Sequence, residues 1–150
     1  MNEPRVLSRT LGEHAGCAVK IQGWLHTIRP FGKINFVIVR DRAGLAQVVV
    51  EDREEMKKLS LLQPGSILTV RGVVVASPQA DLKVEIRQPE IQVDVPIRLV
   101  PPVEYYKPEI PSDLDYILDH RPIALRNRRI QAVFRIQAEI VHAFRLYMHD

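Results

Sequence analysis

Phe36, Gln47 and Glu85 are of types that can bind an unpaired nucleobase. Phe36 lies in the apolar run INFVIVR, Gln47 in LAQVVVE and Glu85 in LKVEIR. A phenyl ring can stack on a base, and an amide or a carboxylate can form hydrogen bonds with the base edge. Because each residue lies in a predicted β-strand, this chemistry depends on which face of a sheet it occupies.

Phe36 belongs to a strand that is apolar on both faces, so two orientations are open. Ile34, Phe36 and Ile38 share one face, and Val37 and Val39 share the other. In one interpretation the ring is part of the core. In the other it is an exposed platform on which a base stacks, an interaction worth roughly 1–3 kcal/mol per base. Periodicity alone does not distinguish these interpretations.

Gln47 and Glu85 are both predicted to point outward. The alternation of their strands assigns Ala46, Val48 and Val84 to the core side. A solvated strand face is one interpretation of the two polar residues. In the other, Glu85 accepts a hydrogen bond from a base, since a carboxylate without that role would repel phosphate groups. Uracil carries a hydrogen on N3 and neutral cytosine does not, so a carboxylate could distinguish them.

Arg29 and Lys33 flank a predicted turn at PFGK and suit contacts with phosphate oxygens, although a solvated turn could contain the same residues. The five histidines lack metal-ligand spacing with carboxylates or thiols. Glycine-rich phosphate loops, HExxH and GxSxG are also missing from the sequence. We therefore expect neither a catalytic residue nor a metal site within these 150 residues.

The strands that would position these side chains form a period-two pattern over residues 1–95. We predict strands at AVKIQGWLHTIR, INFVIVR, LAQVVVE, SILTVRGVVVAS and DLKVEIRQPEIQV, with a bend at Pro89 in the last. DREEMKKLSLL predicts a short helix after the third strand. Five strands with one helical connection favour a mainly β fold, the five-stranded oligonucleotide-binding (OB) barrel, over a sandwich.

The amino-acid composition changes at residues 96–111. Five of the eleven prolines lie there, which predicts a hinge or linker. In residues 112–150 we expect C-terminal helices, with Ser112 and Asn127 as candidate N-caps. The second helix carries two apolar stripes, which predict burial on two sides, in a domain core and at a subunit interface. The chain stops inside this helix, which favours a piece of a longer protein.

Composition and charge set the remaining bounds. The chain is 46% hydrophobic and 26% charged, as is typical of soluble globular proteins. The sequence has neither a signal-peptide pattern nor an apolar run long enough for a membrane span, so we expect a cytoplasmic protein. The single cysteine excludes an internal disulfide. The formal net charge is +3, and residues 18–50 carry five cations against Asp41 alone, which predicts a local positive surface.

Residues 23–52, GWLHTIRPFGKINFVIVRDRAGLAQVVVED, resemble the signature of the anticodon-binding domain of aspartyl- and asparaginyl-tRNA synthetases. That pattern runs Gly-Trp-x-His, then Arg, Gly and Phe, then Arg-Asp-x-x-Gly-x-x-Gln. VEI in the fifth strand and LDHRPIALRN also fit the family. FRIQAEIVHAFRLYM resembles the beginning of the first class II motif, a dimer-interface helix. The similarity spans essentially the whole chain, and Pro30 and Asn35 are departures from the family pattern.

This resemblance implies a role for each candidate residue. Phe36 would stack on the central anticodon base, a uridine that aspartate and asparagine tRNAs share. Gln47 and Glu85 would contact the edge of that base, and Arg29 would help to hold the anticodon loop. Residues 1–95 would be the anticodon-binding domain and residues 112–150 the start of a class II catalytic domain.

The same resemblance implies a parent enzyme that attaches aspartate to tRNA with ATP and magnesium and that acts as a homodimer through the C-terminal helix. The motifs that bind ATP would lie beyond Asp150, so the 150 residues alone are predicted to be inactive and to hold no cofactor. LDHRPIALRN resembles the archaeal-type aspartyl enzymes more than the asparaginyl ones.

Our leading hypothesis is the anticodon-recognition part of an aspartate-tRNA ligase, either specific for aspartate tRNA or also charging asparagine tRNA. The alternatives are an asparagine-tRNA ligase, a stand-alone OB protein that binds single-stranded nucleic acid, and a dimerising barrel that binds none.

Overall fold

The computed structural model describes residues 3, 5–32 and 34–149, and it divides into two compact units, residues 1–100 and 101–150. The described elements of the first unit are a 3-10 helix (Ser8–His14), β1 (Ala18–Phe31), β2 (Ile34–Arg40), β3 (Leu45–Val50), α1 (Arg53–Leu59), β4 (Ile67–Ala76) and β5 (Val84–Val95). Those of the second unit are α2 (Leu114–Asp119), α3 (Arg121–Ala124) and α4 (Arg128–His149).

The five strands of the first unit close into a barrel in the order β1-β2-β3-β5-β4. β3 and β5 are parallel and the other neighbours are antiparallel. Among the described residues, β3 and β5 are joined by one Cα pair, Val48 with Ile86. The five-stranded barrel predicted from the sequence, with its helix after the third strand, is confirmed.

β1 divides its pairing between two neighbouring strands. Residues 18–24 pair with β4, and residues 24–31 pair with β2. A Cβ atom at Gly23 would overlap the backbone oxygen of Arg40, so glycine permits the close approach of the strands here. The pairing with β2 also shifts by one residue at His26, a β-bulge that increases the local twist.

β1 extends further than the sequence pattern predicts. Pro30 pairs with Asn35 and Phe31 pairs with Ile34, so the turn expected at PFGK is displaced toward Gly32, whose φ is 62°. The two departures from the family pattern, Pro30 and Asn35, are thus cross-strand partners.

A second bulge bends β5 where the sequence predicts a bend. The register of β4 against β5 shifts at Gly72, which faces both Gln88 and Pro89. Gln88 has a φ of 51°, and a Cβ atom at Gly72 would lie 2.8 Å from the backbone oxygen of Arg87. The bend at Pro89 is therefore a bulge that a glycine on the neighbouring strand accommodates.

The core fills the barrel with alternate residues of all five strands. Leu11 of the 3-10 helix and Leu59 of α1 belong to the same cluster. Burying such a side chain contributes roughly 1.5–3 kcal/mol. The strand residues of the cluster are Val19, Ile21, Leu25, Val37, Val39, Ala46, Val48, Val50, Leu68, Val70, Val74, Val84 and Ile86.

The 3-10 helix, which the sequence analysis does not predict, is attached to the β2–β3 turn by the buried Asp41. The Asp41 carboxylate accepts hydrogen bonds from the backbone N (2.6 Å) and Oγ (2.7 Å) of Ser8. It also accepts hydrogen bonds from the backbone N of Ala43 (2.7 Å) and of Gly44 (2.9 Å). One carboxylate therefore closes the turn and holds the N-terminal segment.

The boundary between the two units falls after Val100, inside the segment 96–111 that the sequence predicts as a linker. Val103 and Tyr105 are nevertheless buried in the second unit. Nearby, the hydrogen bond from Lys107 holds the pKa of the Glu104 carboxyl below its ordinary value.

Of the two predicted N-caps in the second unit, one forms capping hydrogen bonds and the other does not. The N-cap of α2 is Asp113 rather than Ser112. Asn127 caps α4 as predicted, since its Oδ1 accepts hydrogen bonds from the backbone N of Arg129 (2.9 Å) and of Ile130 (3.3 Å).

α4 keeps its apolar residues exposed. None of its described residues is buried, so the predicted burial on two sides does not occur within these residues. Of the described helices, none is long and apolar enough to cross a membrane. The large exposed apolar residues of α4 are Val133, Phe134, Ile136, Ile140, Val141, Phe144, Leu146, Tyr147 and Met148.

Candidate nucleic-acid interface

Phe36 lies on the outer face of the barrel. The core cluster includes Val37 and Val39 of β2, but it does not include Phe36. The Phe36 side chain is half-buried. Its Cα partners are Arg29 on β1 and Val49 on β3, whose side chains share its face. The structure therefore excludes the interpretation in which this ring is part of the barrel core and leaves part of the ring open to a ligand.

Gln47 and Glu85 meet on the same outer face, on the neighbouring strands β3 and β5. Gln47 Nε2 donates a hydrogen bond to Glu85 Oε2 at 3.0 Å, and Arg87 Nε donates to Glu85 Oε1 at 2.8 Å. Only the β3–β5 closure of the barrel brings these residues together, because 38 positions separate Gln47 from Glu85 in the sequence.

The environment of Glu85 differs from a solvated strand face. Glu85 is only 4% exposed, whereas the side chain of its partner Arg87 is about half exposed. The ion pair with Arg87 and the hydrogen bond from Gln47 compensate for the burial of the charge. A carboxylate has about four lone-pair sites, of which these contacts use two.

Arg29 completes the group of predicted residues that the structure brings together. It is exposed near the end of β1, next to Phe36 across the strand pair. Together with Gln47 it lines a small pocket of about 90 Å³ beside the β4–β5 loop. Lys33, the other predicted phosphate contact, lies outside the described residues.

Phe31 is an aromatic residue of this face for which the sequence pattern predicts only a place in a turn. It is 68% exposed, and its ring centroid lies 6.0 Å from that of Phe36 with a 42° angle between the planes. The only sequence signal for it is an aromatic residue beside the turn glycine, Gly32, in a hairpin that also contains Phe36.

A larger pocket of about 580 Å³ extends the interface on the far side of Val49. Three valines line it, and it shares Arg87 with the Gln47–Glu85 pair. Its lining residues are Val49, Glu51, Asp52, Val73, Val75, Arg87, Gln88 and Pro89. Val49, the Cα partner of Phe36, and Arg87, the ion-pair partner of Glu85, connect this pocket to the interface.

In the described part of the chain, no group of three or more His, Cys, Asp or Glu residues could hold a metal ion.

The closed five-stranded barrel, with its helix after the third strand, is the architecture of the oligonucleotide-binding fold. Comparison with protein families agrees with this fold. Residues 19–95 match the model described as "OB-fold nucleic acid binding domain", and the chain belongs to that family.

The similar proteins are tRNA ligases that contain this domain. The chain is 38% identical over 144 residues to an aspartate-tRNA(Asp/Asn) ligase of Thermus thermophilus, covering 96% of this chain and 33% of the relative. It is 34% identical over 145 residues to the enzyme of the same name from Methanococcus vannielii, covering 91% of this chain and 32% of the relative.

Among solved structures, the asparaginyl-tRNA synthetase from Pyrococcus horikoshii complexed with asparaginyl-adenylate matches with a TM-score of 0.78 and 25% identity. The match covers 98% of this chain and 34% of that one. The resemblance to aspartyl- and asparaginyl-tRNA synthetases is confirmed, and the chain spans about a third of the length of the curated relatives it matches.

Proposed function

We propose that this chain recognises the anticodon loop of tRNA as the anticodon-binding part of an aspartate-tRNA ligase. The observation that carries the proposal is the position of Phe36 on the outer face, with the hydrogen-bonded pair Gln47 and Glu85 on the same surface. The names of the relatives support aspartate and asparagine tRNAs as the substrates.

In this proposal the central anticodon uridine leaves the stack of the loop and lies against Phe36. Its N3–H donates a hydrogen bond to the Glu85 carboxylate, and Gln47, bonded to that carboxylate, contacts the same base edge. Cytosine at this position would present an acceptor to the carboxylate instead of a donor, so it would be rejected. Arg29 contacts a phosphate of the loop and holds its position without sequence preference.

The parent enzyme would adenylate aspartate with ATP and magnesium and transfer it to the 3′ end of tRNA. That chemistry belongs to the remaining two thirds of the relatives' length, so we expect the 150 residues to bind RNA without catalysing aminoacylation. The exposed apolar residues of α4 support its assignment as a homodimer contact in that enzyme. We assign the enzyme to the cytoplasm, where tRNA is charged.

An asparagine-tRNA ligase is the second candidate. The match to the Pyrococcus horikoshii asparaginyl-tRNA synthetase favours it at 25% identity, below the 38% of the Thermus thermophilus aspartate enzyme. Both candidates require the same central uridine, so the test of base recognition applies to both.

Binding of anticodon stem-loop RNAs to the 150-residue chain tests the proposal. We expect a loop with the central uridine changed to cytidine to bind much more weakly. Phe36→Ala should cost about 1–3 kcal/mol of binding free energy. Leu61→Ala, at an exposed residue outside the interface, is the matched control. Equal affinity for the two loops would refute base recognition, and affinity that depends on salt alone would indicate a generic single-strand binder.

A further inference from the structure

We propose that Phe31 is a second stacking surface of the interface, which binds the unpaired base next to the one on Phe36. The inference rests on the proposed function, because it takes the ligand to be an RNA loop with adjacent unstacked bases. It adds a contact that neither the family match nor the family pattern in the sequence includes.

The strand pairing places Phe31 on the same face as the other interface residues. Phe31 lies two positions after Arg29 on β1, so the two side chains point to the same side of the strand. Arg29 is the Cα partner of Phe36, and Phe31 is the Cα partner of Ile34. The outer face at this end of the hairpin therefore carries two aromatic rings with an exposed cation beside them.

The geometry of the two rings favours two separate base sites over one. A base inserted between two parallel rings needs about 7 Å between them, twice the roughly 3.4 Å spacing of stacked bases. The centroids of Phe31 and Phe36 are 6.0 Å apart and their planes are tilted by 42°, so a base does not fit between them. Each ring can instead support its own base, and the tilt suits bases that are splayed apart in a loop.

Exposure separates Phe31 from an ordinary packing residue. Phe36 is half-buried, whereas 68% of Phe31 is open to solvent although it touches the Phe36 ring. The open surface of Phe31 is thus available to a ligand, and Arg29 is placed to contact the phosphate that links two adjacent nucleotides.

The test measures the binding of Phe31→Ala and Phe31→Trp variants of the 150-residue chain to anticodon stem-loop RNAs. One RNA is intact, and two others lack the base on one or the other side of the central uridine. For the intact RNA we expect Phe31→Ala to weaken binding by about 5- to 150-fold, the stacking contribution of one base. Phe31→Trp should keep the affinity, and Leu61→Ala is the control.

The abasic RNAs distinguish stacking from an indirect effect. For one of the two abasic RNAs, Phe31→Ala should bind as well as the unsubstituted chain, because the base that Phe31 supports is missing. If Phe31→Ala weakens binding to all three RNAs by the same factor, or weakens none, the inference is overturned. Thermal melting of each variant confirms that it is folded. The preference for uridine and the effect of Phe36→Ala test the proposed function separately.

Discussion

At the scale of single residues, Glu85 shows what a strand pattern can and cannot predict. Alternation predicts the outer face for both Gln47 and Glu85, and the structure places them there. It does not predict that Glu85 is buried, because burial depends on Gln47 and Arg87, which the barrel closure and the local backbone bring to it. A period-two pattern predicts the face of the sheet to which a side chain points, but not the residues that it contacts.

Glu85→Gln should reduce the preference for the central uridine. The substitution keeps the size of the side chain but removes the charge that accepts the N3–H of uracil. A hydrogen bond to a charged group contributes roughly 1.5–3 kcal/mol, so affinity for the uridine loop should fall by about 10- to 150-fold. Affinity for the cytidine loop should not fall, because the amide no longer sets a carboxylate against the N3 acceptor of cytosine, and the ratio of the two dissociation constants is the measurement.

Glu90→Gln is the matched control for this substitution, since Glu90 lies on the same strand with its side chain 75% exposed. An unchanged uridine-to-cytidine ratio in Glu85→Gln would argue against the assigned role of the carboxylate.

At the scale of elements, the strands follow from periodicity while their ends and junctions do not. The extension of β1 to Phe31 depends on its pairing with Ile34, and the bulge at His26 depends on the register with β2. The 3-10 helix depends on Asp41, which lies 33 positions from Ser8 in the sequence. These are contacts between distant segments, which a local pattern does not contain.

Asp41→Asn should lower the free energy of unfolding by about 2–4 kcal/mol, because an amide cannot accept all four hydrogen bonds of the buried carboxylate. Urea denaturation measures this change. Asp52→Asn is the control, since Asp52 caps α1 with one hydrogen bond and asparagine caps equally well. Equal stability of the two variants would show that Asp41 does not hold the N-terminal segment as described.

At the scale of the whole molecule, the division into two units agrees with the position of the core. The core cluster begins at Val6, and its last packed neighbour is Ile91, so all of it lies in the first unit. The apolar stripes of α4 correctly indicate a helix, but no described residue of this helix is buried. An apolar stripe predicts that a helix packs against something without saying whether the same chain supplies it.

Residues 1–100 alone should fold and bind RNA as the whole chain does. We expect a single cooperative unfolding transition and a dissociation constant within about threefold of that of the 150-residue chain, less than 1 kcal/mol. Circular dichroism and RNA titration measure the two properties. Loss of cooperativity would show that the barrel depends on the second unit, and weaker binding by a folded fragment would assign part of the RNA contact to residues 101–150.

The parallel pairing of β3 with β5 links RNA binding to the opening of the barrel. Gln47 and Glu85 directly precede Val48 and Ile86, the one described pair that joins these strands, so their hydrogen bond spans the same two strands. An RNA that contacts both side chains binds only the closed barrel. By mass action, its binding lowers the population of molecules in which β3 and β5 have separated. Discrimination between anticodon loops and opening of the barrel would then share one equilibrium, and the amide hydrogens of β3 and β5 would exchange most slowly when the matching loop is bound.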